Sequence, residues 1–581
     1  MKRLLTATAA VIFAVNPAWS NDMPQPIELR ERMPTIDMAG SEREAYRQIF
    51  SAIRQRDWTT AQSLLAAAPR SVLHPVARAE LYLAAGSPQV ELDPLVTLIT
   101  EAPDLPNADQ LRRLAESRGL ASPLSIRTPQ QLRTLPGPSR RALPRGVSHD
   151  RAARSLADRI QPRIVADDPR GAETLVDAGI AGLSAEGQAE VRQRVAWSYY
   201  ITGDDANARR LAHMAQNGQG EWVAHAAWVE GLAAWRQRDY AAAARAFELV
   251  GNRGTDAEMR AAGLYWAARA QTAAGSPANV QPLLRTASRM EETFYGLLAG
   301  QRLGIAAQPI EPDHQTGAAA VYPDRNAQRA LALLAIGERD LAEQFVRHGA
   351  ALDHAQRHDG WVAFAEQLGL PDAQVWITRN APVAHHPSVR DRYPNPGYRP
   401  VRGWRVDRSL VYAHALQESG FNAGAVSHAN AHGLMQVRPG TAGDIARQRG
   451  YTFGSGQLHQ PEYSIEFGQS YLEDMRDFPA TRGLLPQVIA AYNAGPAPIR
   501  DWQYSLRDGG DPLLYIESIP YYETRQYVPI VLRNYWMYQR TGGEDTPTLS
   551  ALAQGMWPRF PGSAGPVAVR MSDHGSVRLG D

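Results

Sequence analysis

Residues 41–380 are written almost entirely in helix formers. Ala, Leu, Arg, Gln and Glu dominate, and β-branched runs are scarce. Apolar stretches of helical length alternate with short polar turns, which leaves few folds open. Residues 197–200 lead to Gly203, Asp204 and Asp205, then to an Ala-rich run at 208–215. Residues 228–235 lead to Arg238, Asp239 and Tyr240, then to 243–247, and residues 264–273 lead to Gly275 and Ser276. Similar hairpins are expected around Asp57 and around Gly337 and Asp340. The turns at Asp204, Asp239 and Gly275 recur at close to the ~34-residue period of a two-helix repeat. Helix pairs of that kind stack side by side into a curved solenoid with little β structure. The expected fold class is all-α.

The repeat is degenerate but tetratricopeptide-like, and it does not fill the chain. Met1, Lys2 and Arg3 form a basic start, residues 4–15 an apolar run, and Ala18, Trp19 and Ser20 a small-residue cleavage site. That pattern is a secretory signal peptide over residues 1–20. The apolar run falls short of the ~20 residues that span a bilayer, so the expectation is a soluble, exported, periplasmic protein without a membrane anchor. Residues 21–380 are expected to form the helical domain, with the Pro-rich stretch 123–144 as a connection within it. Residues 381–400 (APVAHHPSVRDRYPNPGYRP) cannot be a regular helix, because proline removes donors and clashes with the preceding turn. They read as a linker to a second domain over 401–541. Residues 542–581 are rich in Gly, Pro and Ser and are expected to form a loosely ordered tail.

Of 581 residues, 44% are hydrophobic, enough for more than one core. A formal net charge of +1 gives no electrostatic case for a nucleic-acid partner. There is no cysteine, hence no disulfide framework and no lipid-acceptor thiol. No Gly-rich phosphate loop is present. His428 and His432 lie four apart in a loop-like stretch with no third ligand in evidence, so neither a metal nor a cofactor is expected.

The chemistry concentrates after residue 400. Leu410, Val411, Ala413 and Leu416 mark a helix that ends near Gly420, with Glu418 in its last turn. A carboxylate there is poorly placed for the helix dipole. A Gly-bearing run, Gly433-Leu434-Met435-Gln436, follows it. One acid facing such a loop could protonate a bound sugar, but a lone helical Glu is normally a solvated surface residue. Three more motifs follow in order. Ala491-Tyr492-Asn493-Ala494-Gly495 closes an apolar run, and Ile519-Pro520-Tyr521-Tyr522-Glu523-Thr524-Arg525 leads to Tyr527.

With Glu418-Ser419 and Gly433-Leu434-Met435-Gln436, this ordered set resembles the soluble lytic murein transglycosylases of glycoside hydrolase family 23. The resemblance covers roughly residues 393–538, and Thr293-Phe294-Tyr295-Gly296 carries a weaker one upstream. It implies a lysozyme-like α domain, with the superhelical part closing into a ring around it. It further implies a lyase acting on peptidoglycan strands that cleaves the bond from N-acetylmuramic acid to N-acetylglucosamine. Glu418 would act first as acid, then as base toward the muramoyl 6-hydroxyl, giving a 1,6-anhydro end without adding water. Most glycosidases use two carboxylates; an intramolecular nucleophile makes one sufficient.

Carried over residue by residue, Ser427, Gln436, Tyr492, Asn493 and Glu523 would contact substrate, and Tyr527 would lie close to the acid. Each also has a structural reading, Gln436 as a turn amide and Tyr492 and Tyr527 as half-buried phenols. Ser419 is expected to bond locally, and Arg525 to hold a carboxylate such as Glu523. The chain departs from the family at Leu416, at residues 429–432 and at Arg438, which leaves stem-peptide preference open. Two other functions fit parts of the pattern: a goose-type lysozyme hydrolase, and a non-catalytic peptidoglycan-binding scaffold that meets cell-wall assembly proteins through its helices.

Overall fold

The computed structural model describes residues 38–571 and 577–578 apart from 136–138, 306–309, 311–316 and 383–387. The expected signal peptide lies outside the described residues. Helices carry most of the described chain, as expected.

The hairpins form where the sequence places their turns: Ala185–Ile201 with Asp205–Ala215, Trp222–Arg236 with Tyr240–Arg253, and Ala257–Ala273 with Val280–Ser288. The first two share one device. The first helix ends in a left-handed residue, Gly203 at φ 87° or Arg238 at φ 61°. The next residue is an Asp whose N–H returns to the helix just finished, Asp204 to Tyr199 O and Asp239 to Ala234 O, both at 2.9 Å. Its carboxylate then caps the second helix, accepting from Asn207 N and Ala242 N at 3.1 Å. One residue pair thus satisfies orphan carbonyls of one helix and orphan amides of the next.

Apolar packing gathers the helices into two stacks. Residues 153–299 share a core with residues 375–560. Residues 38–115 pack instead with 321–377. The first helices therefore meet the last ones of the helical region, with Arg54 paired to Glu338 and Arg47 Nη2 donating to Ala335 O at 3.2 Å.

The Pro-rich segment expected as a connection within the solenoid crosses between the stacks. Leu132–Thr134 pairs antiparallel with Asn380–Pro382, at one end of the segment read as a linker. Further on, Ala142 N donates to Asp256, Arg145 N to Glu221 and Val147 N to Glu190, at 2.7–3.0 Å. Backbone donors of this segment find partners on distant helices, which a local reading of sequence does not reveal.

The C-terminal region also differs from expectation. Instead of a loosely ordered tail there is a helix, Pro547–Ala553, and a small antiparallel sheet of Trp557–Pro558, Ala568–Met571 and Val577–Arg578. Leu549, Leu552, Trp557 and Phe560 are buried against the preceding domain. Trp557 Nε1 donates to Gly510 O at 2.8 Å, and Trp536 Nε1 to Thr548 Oγ1 at 2.9 Å. Four large apolar side chains outweigh a turn-rich composition. Among the described residues, no helix is long and apolar enough to cross a membrane.

Candidate active site

Two antiparallel helices build the site. Arg408–Glu418 begins at Asp407, which caps it by accepting from Ser409 N at 2.8 Å and Leu410 N at 3.3 Å. It packs on Tyr522–Thr541. Tyr535 OH donates to Asp407 Oδ2 at 2.9 Å, and Tyr527 OH donates to Glu418 Oε1 at 2.6 Å. Two tyrosines of one helix therefore grip a carboxylate at each end of the other. This fixes the register in which Glu418 meets its partner.

Between the helices lies a residue the motifs did not indicate. His414 sits one turn before Glu418, hence on the same helix face, and is fully buried. Its Nδ1 donates to Leu410 O at 2.9 Å. Its ring lies 4.8 Å from that of Tyr492 and 6.0 Å from that of Tyr527. Burial pulls its pKa down to about 4, so it is a neutral packing element near pH 7. The four-residue spacing from Glu418 was the available signal.

Burial also dominates at Glu418, pushing its pKa up to about 7. The Tyr527 hydrogen bond opposes the rise, and the negative charge of Glu523 adds to it. Near neutrality, Glu418 can both carry and release a proton, as a group that donates and later accepts one must.

The loop after Glu418 is strained. Seven non-glycine residues have positive φ among the described residues, and three of them, Phe421, Asn430 and Gln436, fall within this loop. Such conformations cost of order 1–3 kcal/mol each and cluster at functional sites. Ser427 N donates to Ala431 O at 2.9 Å, and Ala431 N to Ser427 Oγ at 3.0 Å, closing the tip. Gln436 Nε2 donates to Gly433 O at 2.8 Å and Ala425 O at 3.2 Å, bracing the base. Ser419 Oγ donates to Leu434 O at 3.0 Å, tying the loop to the acid's helix. The local bond expected of Ser419 is its Oγ donating to Ala415 O at 3.3 Å. His432 bonds to His459 at 3.1 Å rather than to His428.

Tyr492 closes the site from Leu485–Ala494, its OH donating to Met435 O at 2.7 Å. Asn493 accepts from Thr524 Oγ1 at 2.6 Å and donates to exposed Glu523 at 3.4 Å. The structure thus gathers Glu418, Tyr527 and Tyr492 around one cluster. Asn493 and Glu523 form its rim, while Ser427 and Gln436 shape the adjoining loop. Arg525 departs from expectation: it donates to Ile519 O at 2.5 Å and Pro520 O at 3.3 Å, and its guanidinium lies 4.1 Å from the Trp197 ring centroid. Residues two apart on a helix do not face each other, so Arg525 points away from Glu523.

Residues 400–511 match the family model described as the transglycosylase SLT domain. The chain carries that domain. Tyr527, which donates to Glu418, lies beyond the matched part of the SLT domain. The soluble lytic murein transglycosylase of Escherichia coli K12 is 28% identical over 305 residues, covering 50% of this chain and 45% of the relative. That of Salmonella typhimurium is 29% identical over 300 residues, covering 49% and 45%. This chain thus spans about half the length of the curated relatives it matches. The membrane-bound lytic murein transglycosylase C of Histophilus somni is 36% identical over 137 residues, covering 22% and 37%. Among solved structures, the 70 kDa soluble lytic transglycosylase of Escherichia coli superposes with TM-score 0.58 at 19% identity, covering 90% of this chain and 100% of that one. At that identity the likeness establishes a shared all-α fold.

Proposed function

We propose that this protein is a lytic transglycosylase, cleaving peptidoglycan strands between N-acetylmuramic acid and N-acetylglucosamine. Glu418 protonates the glycosidic oxygen as the bond from that oxygen to the muramoyl C1 breaks. The resulting carboxylate takes the proton of the muramoyl 6-hydroxyl while O6 bonds to C1. The products are a free glucosamine 4-hydroxyl and a 1,6-anhydromuramoyl end, and no water is consumed. The carrying observation is the half-buried Glu418, held by Tyr527 at 2.6 Å with its pKa pushed up to about 7. In this reading Ser427, Gln436, Tyr492, Asn493 and Glu523 line the sugar site, residues 401–541 form the catalytic domain, and the basic, then apolar N-terminus directs export to the periplasm.

Glu523 favours a second reading, because its charge is felt at Glu418. A carboxylate so placed could activate water and make the enzyme a hydrolase. Digestion of peptidoglycan in ¹⁸O-labelled water separates the two. Unlabelled, borohydride-resistant anhydro ends are expected; labelled, reducible muramic acid as the main product would establish hydrolysis. Glu418→Gln should lower turnover by ~10⁴-fold or more, since one group serves both steps. Wild-type clearing by a folded Glu418→Gln protein would refute the assignment of the acid, and a wild type that binds strands without cutting them would mark a scaffold.

A further inference from the structure

Tyr521 and Tyr522, directly before Glu523, are 52% and 37% exposed, whereas Tyr492 and Tyr527 inside the site are 7% and 4% exposed. Exposure alone means little, since apolar atoms make up much of any protein surface. These two rings, however, are held. Tyr521 meets buried Trp502 edge-on, with centroids 5.2 Å apart and planes at 87°. The Arg525 guanidinium lies between Tyr522, 5.5 Å from its ring centroid, and Trp197 of the helical region, at 4.1 Å. The same guanidinium anchors the backbone just before Tyr521 through the carbonyls of Ile519 and Pro520. Trp197 ties the arrangement to the helical region, so both parts of the molecule build it.

The rings stand at the start of the helix that carries Tyr527, the partner of Glu418. Tyr521 occupies the position just before that helix, six residues from Tyr527, about 9 Å along the axis at ~1.5 Å per residue. Glu523, next to Tyr522, bonds to Asn493, which adjoins Tyr492. A ring with an apolar face, a polar edge and a fixed orientation suits a pyranose, whose C–H faces pack on the aromatic face while its hydroxyls remain wet. Little side-chain freedom is left to lose on binding.

We propose that Tyr521 and Tyr522 form a stacking platform for sugars of the β-linked glycan strand beyond the scissile pair. The proposal rests on the transglycosylase reading and extends its substrate from a disaccharide unit to a longer strand. It is tested with the full-length protein and two measurements. In the first, kcat/KM is compared between tetrasaccharide and octasaccharide strands of alternating N-acetylglucosamine and N-acetylmuramic acid. The wild type should gain from the added length, and Tyr521→Ala/Tyr522→Ala should lose that gain about ten-fold, in KM. Tyr521→Phe, which retains the ring, should keep it. An equal gain in the double variant and the wild type would overturn the proposal. In the second, calorimetry measures octasaccharide binding to Glu418→Gln with and without the double substitution. An about ten-fold weaker Kd without the two rings supports the platform even if no anhydro product ever forms. An unchanged Kd overturns it even if the transglycosylase reading stands.

Discussion

At Glu418 a single side chain links stability to chemistry. Its pKa lies near 7 in the fold, against ~4.3 for an ordinary glutamate. The folded state therefore holds the proton more tightly than the unfolded chain. Below ~4.3 both states are protonated and the group costs nothing; between ~4.3 and ~7 the unfolded chain ionises while the fold keeps the proton, so stability falls, and the loss levels off above 7. Glu418→Gln should accordingly gain on the wild type as pH rises from 4 to 8, by on the order of 1–3 kcal/mol. Denaturant melts at the two pH values check it, and an equal difference at both would contradict the raised pKa. Tyr527→Phe removes the hydrogen bond that opposes the burial effect. The Glu418 pKa should then rise further, and the alkaline limb of kcat/KM should move to higher pH. A limb that moves downward would mean Tyr527 does not stabilise the carboxylate.

The pairing of Glu418 with Tyr527 was legible in the sequence because short ordered motifs fix both residues. His414 was not, because its four-residue spacing from Glu418 marks a shared helix face but not the tyrosines that cover it. Glu523 is not the partner of Arg525, because residues two apart on a helix point to different faces.

Among elements, the loop between Glu418 and Pro439 shows what a motif demands of its backbone. Gly433 has φ +71°, and a Cβ there would stand 1.8 Å from Leu458 O. Gly433→Ala should cost ~1–2 kcal/mol for the left-handed backbone alone, more for the clash, and should lower activity by displacing Gln436. Gly440, at the start of the helix Pro439–Arg449, has open space at its Cβ. Gly440→Ala should be neutral or stabilising by up to ~1 kcal/mol. Thermal melts of the pair test this; equal losses at both positions would mean the loop backbone does not set the requirement. The helical hairpins were legible for the reason Gly433 matters: a left-handed residue followed by Asp is a local device with a local sequence. The crossing segment and the C-terminal sheet were not, because their bonds reach distant partners.

Across the whole molecule, the crossing segment, the helical stack and the site domain meet at buried charge. Glu517, on the helix Pro512–Ser518, accepts two bonds from Arg141 at 2.8 and 3.0 Å and one from Tyr295 OH at 2.7 Å. The Arg141 guanidinium lies 4.6 Å from the ring centroid of Trp228. Arg236 reaches Ser518 beside it at 2.9 Å, and Arg533 pairs with Glu258 at 3.2 Å. The chain runs from Ser518 directly into the turn and helix that present Tyr521, Glu523 and Tyr527. Arg141→Met removes two of the three hydrogen bonds to the buried Glu517 carboxylate, and breaking a buried pair in this way costs ~3–5 kcal/mol. Replacing both charges by apolar residues of similar size removes the stranded charge as well, and such swaps are often neutral. Arg141→Met/Glu517→Leu should therefore be more stable than Arg141→Met, a coupling that denaturant melts of the four proteins in a double-mutant cycle measure directly. Because the pair anchors the segment leading to Tyr527, kcat should fall in the single variant and recover in the double. A double variant as unstable as the sum of the two singles would mean that the two residues do not act as a pair, and that the helical region is joined to the site by apolar packing alone.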